Sequence, residues 1–285
     1  MVLLGGISQY IEDIQTADKT IAYCKDFGFN SIRYSNNQFS SSFPFKREIA
    51  DRILATSNLN LIIDMTHEYP PDATTAAFIR AHMAEIRQNI RNIAGMYKNN
   101  FRVAHEILNE YVDSDLYTIA QPMVDDVRAI CDNAIIINKW SQPWQKIADK
   151  KNNTYQSYHY YFGGDVVGSG WTPSGALADL DKAKAAGITN ICNTEIGANW
   201  MEYPHFTADN VARLNQFMDA SVKRGYGFAI WNNGSTPTSD NMPTYKQLNL
   251  TVPPLPAPTP LTPYPYAVAG VMALALIGYL VVRGK

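Results

Sequence analysis

The stretch Val103-Ala104-His105-Glu106-Ile107-Leu108-Asn109-Glu110-Tyr111 is an apolar run of strand type that ends on a carboxylate, and Ile191-Cys192-Asn193-Thr194-Glu195-Ile196-Gly197 repeats the design. In a barrel of parallel strands, side chains at the carboxyl ends of different strands converge on one pocket, where a charged residue reads as chemical rather than structural. Glu110 and Glu195 are therefore expected at one mouth of such a barrel.

Outward from these two stretches, strand and helix signals alternate along the chain, the pattern of a parallel sheet. Strands are expected at about Leu3–Gln9, Ser31–Tyr34, Leu59–His67, Val103–Glu110, Ala134–Trp140, Thr154–Tyr161, Thr189–Glu195 and Gly227–Trp231. Helices are expected near Thr16–Phe27, Lys46–Thr56, Ala73–Tyr97, Leu116–Asp132, Trp144–Lys150, Ser174–Ala186 and Ala208–Arg224. The longest carries one apolar stripe, Ile79, Met83, Ile86, Ile90 and Ile93, at helical spacing. Leu61-Ile62-Ile63 and Ile135-Ile136-Ile137 are continuous runs suited to strands covered on both faces. Eight such units predict a single α/β barrel, the (β/α)8 or TIM fold, over residues 1–250. A doubly wound open sheet fits less well, because no glycine-rich phosphate fingerprint follows the first strand.

Composition narrows the partners. Charged residues are 18% of the 285, the net charge is −2, and no long basic run is present, so the footprint of a nucleic-acid binder is missing. Cys24, Cys131 and Cys192 lie far apart in segments that read as buried and are taken as small core hydrophobes. No metal set or cofactor is expected: His67-Glu68 lacks the second histidine of a zinc-protease motif, and no Gly-x-Ser-x-Gly elbow occurs. A monomer is expected.

After Leu250 the composition changes. Seven of the fourteen residues from Val252 to Pro265 are proline, which predicts an extended linker over 251–265, roughly 40 Å long at about 3.1 Å per residue. Tyr266 to Val282 is a run of seventeen residues without a charge, closed by Arg283 and Lys285 in the tail 283–285. It reads as a membrane anchor over 266–282 that contacts the lipid bilayer, with the cations on the cytoplasmic side and the barrel outside the cell. Met1 runs into the first strand without a secretory leader pattern, which leaves a barrel facing the cytosol as the other arrangement.

Two converging glutamates are the minimum equipment for breaking a glycosidic bond, one as acid and base, the other as nucleophile or water activator. The chain resembles glycoside hydrolase family 5, the cellulase-type retaining β-glycanases. Glu106-Ile107-Leu108-Asn109-Glu110 is similar to the family's fourth-strand signature, in which Asn109 and Glu110 would be the Asn-Glu pair bearing the acid/base, although Tyr111 stands where proline is usual. By the same resemblance Glu195 matches the nucleophile, Arg33 the arginine ending strand two, and His67 the histidine ending strand three. His159 and Tyr161 match the His-x-Tyr of strand six, and Trp231 the tryptophan of strand eight.

The resemblance implies a retaining endo-β-1,4-glucanase acting on β-linked polysaccharide or oligosaccharide. A β-mannanase or exo-β-glucosidase would share the chemistry. The alternative of another class is a membrane-tethered, non-catalytic glycan-binding barrel. In these roles Arg33 holds Glu195 ionised, Tyr161 donates to it, and Asn109 reaches the sugar 2-hydroxyl. His67 and His159 serve other hydroxyls or position Glu110, and Trp231 stacks under the ring. Arg33 as an ion-pair partner of Asp64 is the plainer reading of that residue. His105 is taken as a packed histidine, and Trp140, Trp171 and Trp200 as outer sugar platforms or as core.

Overall fold

The computed structural model describes residues 5–36, 45–66, 75–111, 113–139, 145–163, 171–197 and 207–232, all within the first of two compact units, Met1–Leu255. Its strands are β1 (Gly6–Tyr10), β2 (Ser31–Ser35), β3 (Asn60–Asp64), β4 (Val103–Tyr111), β5 (Ala134–Lys139), β6 (Thr154–Ser157), β7 (His159–Tyr161), β8 (Cys192–Gly197) and β9 (Gly227–Asn232). All pair in parallel in the order β6-β5-β4-β3-β2-β1-β9-β8-β7.

The two ends of that order, β6 and β7, are the halves of the single strand expected over Thr154–Tyr161, parted at Tyr158. The first half pairs with β5, from Ile135↔Thr154 to Asn138↔Ser157, and the second with β8, from His159↔Glu195 to Tyr161↔Gly197. A parallel bridge between Gln156 and Ile191 completes the ring. The sheet is thus the eight-stranded barrel that the alternation predicts, with one strand changing partners where the ring closes.

Helices α1 (Ile14–Phe27), α2 (Arg47–Thr56), α3 (Thr75–Ala81), α4 (Met83–Tyr97), α5 (Leu116–Arg128), α6 (Pro173–Ala185) and α7 (Ala208–Arg224) cover the outside. Their ends follow local chemistry. Asp13, Thr172 and Thr207 cap α1, α6 and α7 by accepting from Thr16, Gly175 and Asn210 backbone N–H groups. Gly28 and Gly225 close α1 and α7 in the left-handed conformation, at φ 68° and 75°. The expected stripe Ile79, Ile86, Ile90 and Ile93 is buried against the sheet, with Met83 packed at its edge. The helix carrying it is two, because His82 leaves helical geometry at φ −109°.

The helix expected near Trp144–Lys150 does not form over 145–149. Side chains take its backbone groups instead. Gln121 accepts from Ala148 N and donates to Ala148 O, Tyr117 Oη accepts from Gln145 N, and Gln156 donates to Gln145 O. Only Ile147 of the segment is buried, so no apolar stripe favours a helix there.

Inside the barrel, Ile62, Ala104, Ala134, Ile136 and Cys192 form a small apolar plug. Cys24 and Cys131 are also buried, so all three cysteines sit where small hydrophobes do. The glycine at the start of β1 is required by packing. A Cβ on Gly6 would lie 2.2 Å from Ser31 Oγ and 2.6 Å from its carbonyl oxygen. Among the described residues no helix is long and apolar enough to cross a membrane. The proline-rich linker and the apolar run over 266–282 lie outside the described residues.

Candidate active site

Two strand irregularities build the mouth. Along β4 the register against β5 shifts between Glu106 and Leu108 and again between Leu108 and Tyr111. Ile107, Leu108 and Tyr111 accordingly join the outer core, while the consecutive pair Asn109 and Glu110 turns to the site. Along β8 the register against β9 shifts between Asn193 and Ile196. Thr194 and Glu195 then both meet site residues, Thr194 bonding Glu106 and Glu195 bonding Arg33. A strand with strict alternation would send one member of each pair to the opposite face, and a bulge removes that restriction.

Glu110 itself sits at φ 47°, a left-handed conformation that a non-glycine residue adopts only when its surroundings impose it. The restraints are visible. Its backbone N donates to Asn138 Oδ1 at 2.7 Å, and the Asn109 N donates to Thr66 Oγ1 at 3.0 Å. Tyr111 next to it is buried, with its phenol donating to Asp115 and accepting from Arg80, which also pairs with Asp113 and Asp115. This clamp occupies the place of the proline that the family signature carries.

Below the mouth, Arg33 is fully buried and makes six hydrogen bonds. Nε donates to Glu106 at 2.5 Å, Nη1 to Ser8 at 2.9 Å, Ser35 at 3.3 Å and Glu195 at 3.0 Å, and Nη2 to Asp64 and Asn109 at 2.8 Å each. Arg33 is therefore the ion-pair partner of Asp64 and the neighbour of Glu195 at once. Burial works against its charge, but Asp64, Glu106 and Glu195 more than compensate and hold the guanidinium firmly protonated. With one cation among three carboxylates, burial pushes the Glu106 carboxyl up, against the pull of Arg33 and with the push of Asp64.

Substituting Arg33→Met removes the cation that lies among the buried carboxylates of Asp64, Glu106 and Glu195. Breaking a buried ion network of this kind costs about 3–5 kcal/mol. Urea unfolding of the variant is expected to show a loss of that size. A midpoint unchanged from the parent would contradict the account of the network.

The two glutamates meet different surroundings. Glu195, 5% exposed, accepts from Arg33 on Oε2 and from the Tyr161 phenol on Oε1. Burial first, then the charges of Glu195 and Glu110, raise the Tyr161 phenol far above its ordinary range, so it stays a donor. Glu110 is half-buried, and its Oε1 lies 2.7 Å from His159 Nδ1. One ligating atom from each of Glu110, His159 and Glu195 falls within 4.8 Å of the others, so a carboxylate oxygen of each glutamate lies within that distance of the other.

Of the remaining expected residues, Asn109 is buried and accepts from Arg33 on Oδ1, which turns the donor side of its amide the other way. Trp231 on β9 is half-buried beside Tyr10 of β1, the rings edge to face at 5.4 Å. The structure thus brings together Arg33, Asn109, Glu110, His159, Tyr161 and Glu195, with Trp231 near the end of β9. His67, Trp140 and Trp200 lie outside the described residues. Trp171 packs edge to face on buried Tyr160 at 5.0 Å and its N donates to Tyr161 O, so its ring serves packing. His105 is buried on the outer side of β4 near Cys131 and Asn133, and burial lowers its pKa to about 3, leaving it neutral.

Sequence reasoning missed Glu106, Thr194, Ser157 and Asn138. Glu106 stands two residues beyond inward-facing Ala104, and that period of two was the available signal. For Thr194 no signal existed, since its orientation depends on the bulge.

The model of the family described as cellulase, glycosyl hydrolase family 5, matches residues 2–237. Among solved structures, the catalytic domain of Thermobifida fusca endoglucanase Cel5A is 19% identical, with a TM-score of 0.59, covering 82% of this chain and 80% of that one. Thermotoga maritima Cel5A in complex with mannotriose is 16% identical, with a TM-score of 0.61 and coverages of 82% and 91%. The cellulose synthase subunit Z of Clostridioides difficile is 17% identical, with a TM-score of 0.60 and coverages of 82% and 93%. No curated protein matches the chain. These likenesses carry the barrel fold, and the match over residues 2–237 carries the family: the chain belongs to glycosyl hydrolase family 5.

Proposed function

We propose that this chain is a retaining endo-β-1,4-glucanase that cleaves β-glucan by double displacement. The observation that carries the reading is the approach of a carboxylate oxygen of Glu110 to within 4.8 Å of one of Glu195, in unequal surroundings. A retaining pair stands about 5–5.5 Å apart, whereas an inverting pair needs roughly 6.5–9.5 Å to admit a water.

Glu195, which accepts from a guanidinium and a phenol, attacks the anomeric carbon. Glu110 protonates the departing glycosidic oxygen and then, as a carboxylate, takes a proton from the water that releases the sugar from Glu195. The Asn109 amide, its Oδ1 committed to Arg33, offers its N–H side to the sugar 2-hydroxyl. Trp231 offers an aromatic face to the pyranose ring, and by the family resemblance His67 is assigned to sugar hydroxyls.

Short links between units favour an open groove for a polymer over a closed pocket. The Thermobifida fusca relative is an endoglucanase, in line with this reading, and the Thermotoga maritima relative was solved with mannotriose, which favours a β-mannanase as the second one. A hydrolysis panel of β-1,4-glucan, mixed-linkage β-glucan and β-mannan tests both. Internal cuts in glucan support the proposal, mannan as the sole substrate replaces it, and no turnover of any would leave a glycan-binding barrel.

We assign the apolar run Tyr266 to Val282 as a bilayer tether, with the barrel outside the cell, on its lack of charge and its proline-rich stalk. Ending the chain after Leu250 is expected to leave kcat and KM unchanged while abolishing partition into detergent. An insoluble or inactive product would make the tail part of the barrel instead.

A further inference from the structure

The buried polar groups beneath Glu110 form one connected chain whose proton directions are set once Glu106 is ionised. Asn138 accepts the Glu110 N–H on Oδ1, so its Nδ2 is the donor to Ser157 Oγ at 3.0 Å. The Thr194 N–H donates to the same oxygen at 3.0 Å. With two donors already on it, the Ser157 hydroxyl spends its own proton on Thr194 Oγ1, 2.7 Å away. Thr194 has one hydroxyl proton, and with Glu106 ionised against Arg33 its Oε1 at 2.7 Å takes it, because a carboxylate can only accept. The third neighbour of Thr194 Oγ1 is His159 Nε2 at 3.3 Å. Thr194 has nothing left to donate, so Nε2 must carry the proton.

We infer that Glu106, through Thr194, is a positioning residue that holds the proton of neutral His159 on Nε2 and so presents a bare Nδ1 to Glu110. The inference rests on the assignment of Glu110 as acid/base. Its consequence follows from one distance. A bare Nδ1 at 2.7 Å accepts from a protonated Glu110 and repels an ionised one, so the acid keeps its proton until the leaving oxygen takes it. Residues on four strands set this up: Glu106 on β4, Thr194 on β8, Ser157 on β6 and Asn138 on β5. The ionisable groups facing Glu106 are Arg33 of β2, Asp64 of β3 and the buried Cys192 of β8. Those facing His159 are Glu110 of β4 and Glu195 of β8.

Glu106→Gln reverses the chain. The amide oxygen must stay on Arg33 Nε, which only donates, so the amide NH2 turns to Thr194 and donates to it. The Thr194 hydroxyl, now accepting from that amide and from Ser157, donates to His159 Nε2, and the imidazole proton moves to Nδ1, where it stabilises ionised Glu110.

The test is 15N long-range correlation spectroscopy of the histidine-labelled full chain, with His159→Gln to assign the signal, alongside pH profiles of kcat/KM. The parent is expected to show the Nε2–H form and Glu106→Gln the Nδ1–H form. In that variant the alkaline limb should move down by about one pH unit, the worth of one hydrogen bond to the charged form, with activity recovering at lower pH. Should Glu106→Gln fail to fold, Thr194→Val must lose the preference for Nε2–H and Thr194→Ser must restore it.

A parent in the Nδ1–H form overturns the inference. So does Glu106→Gln with an unchanged tautomer and a loss equal at every pH, or Thr194→Val with the parent's tautomer and profile. The spectra do not depend on turnover. A parent with the expected tautomer that hydrolyses no glycan would sink the functional reading and leave the placement of the proton standing.

Discussion

Glu195→Gln is expected to lower kcat on β-glucan by at least about 10⁴-fold while leaving oligosaccharide affinity within a few-fold of the parent. An amide cannot attack the anomeric carbon, and loss of a nucleophile from a group of residues acting together removes nearly all of their joint effect. The substitution is close in shape, and the amide oxygen can keep one of the two donors that the carboxylate holds, Arg33 on Oε2 or Tyr161 on Oε1. Calorimetric titration with cello-oligosaccharides alongside steady-state rates separates the two effects. Retained turnover would place the nucleophile elsewhere.

Glu110→Ala is expected to act selectively. Substrates with poor leaving groups should lose about 10²–10⁴-fold in rate, the usual worth of a placed general acid. Activated aryl glycosides need no proton on departure and should form the glycosyl-enzyme at a nearly unchanged rate, then stall. Azide should relieve the stall, because a small anion fits where the Glu110 carboxylate stood and needs no general base. A β-glycosyl azide among the products is the signature to look for. Equal loss on both substrate classes, with no response to azide, would mean that Glu110 serves the fold and not the proton transfer.

Both effects depend on parts of the molecule that differ in how plainly the sequence announces them. The barrel was legible because buried parallel strands leave continuous aliphatic runs, as in Leu61-Ile62-Ile63, and covering helices leave stripes such as Ile79 to Ile93. The helix expected at Trp144–Lys150 failed because side chains of Tyr117, Gln121 and Gln156, remote in sequence, satisfy the backbone of that segment. Glu110, Glu195, Arg33, His159 and Tyr161 were legible as strand-end residues matching a family pattern. Glu106 and Thr194 were not, since one was read as part of a signature and the other points to the site only because a bulge turns it there. The clamp of Arg80 and Asp115 on Tyr111 was equally hidden. It links α3 to the loop after β4, a contact no local pattern encodes.

The central claim, that Glu110 and Glu195 work as acid/base and nucleophile of a double displacement, is tested most directly by following the first anomer released. Proton NMR of the early products from a β-linked cello-oligosaccharide, recorded before mutarotation, distinguishes the two stereochemical courses. Two successive inversions at one carbon return the original configuration, so the account predicts the β-anomer first, with the α-anomer growing only as mutarotation proceeds. The α-anomer appearing first would show direct attack by water and contradict the account.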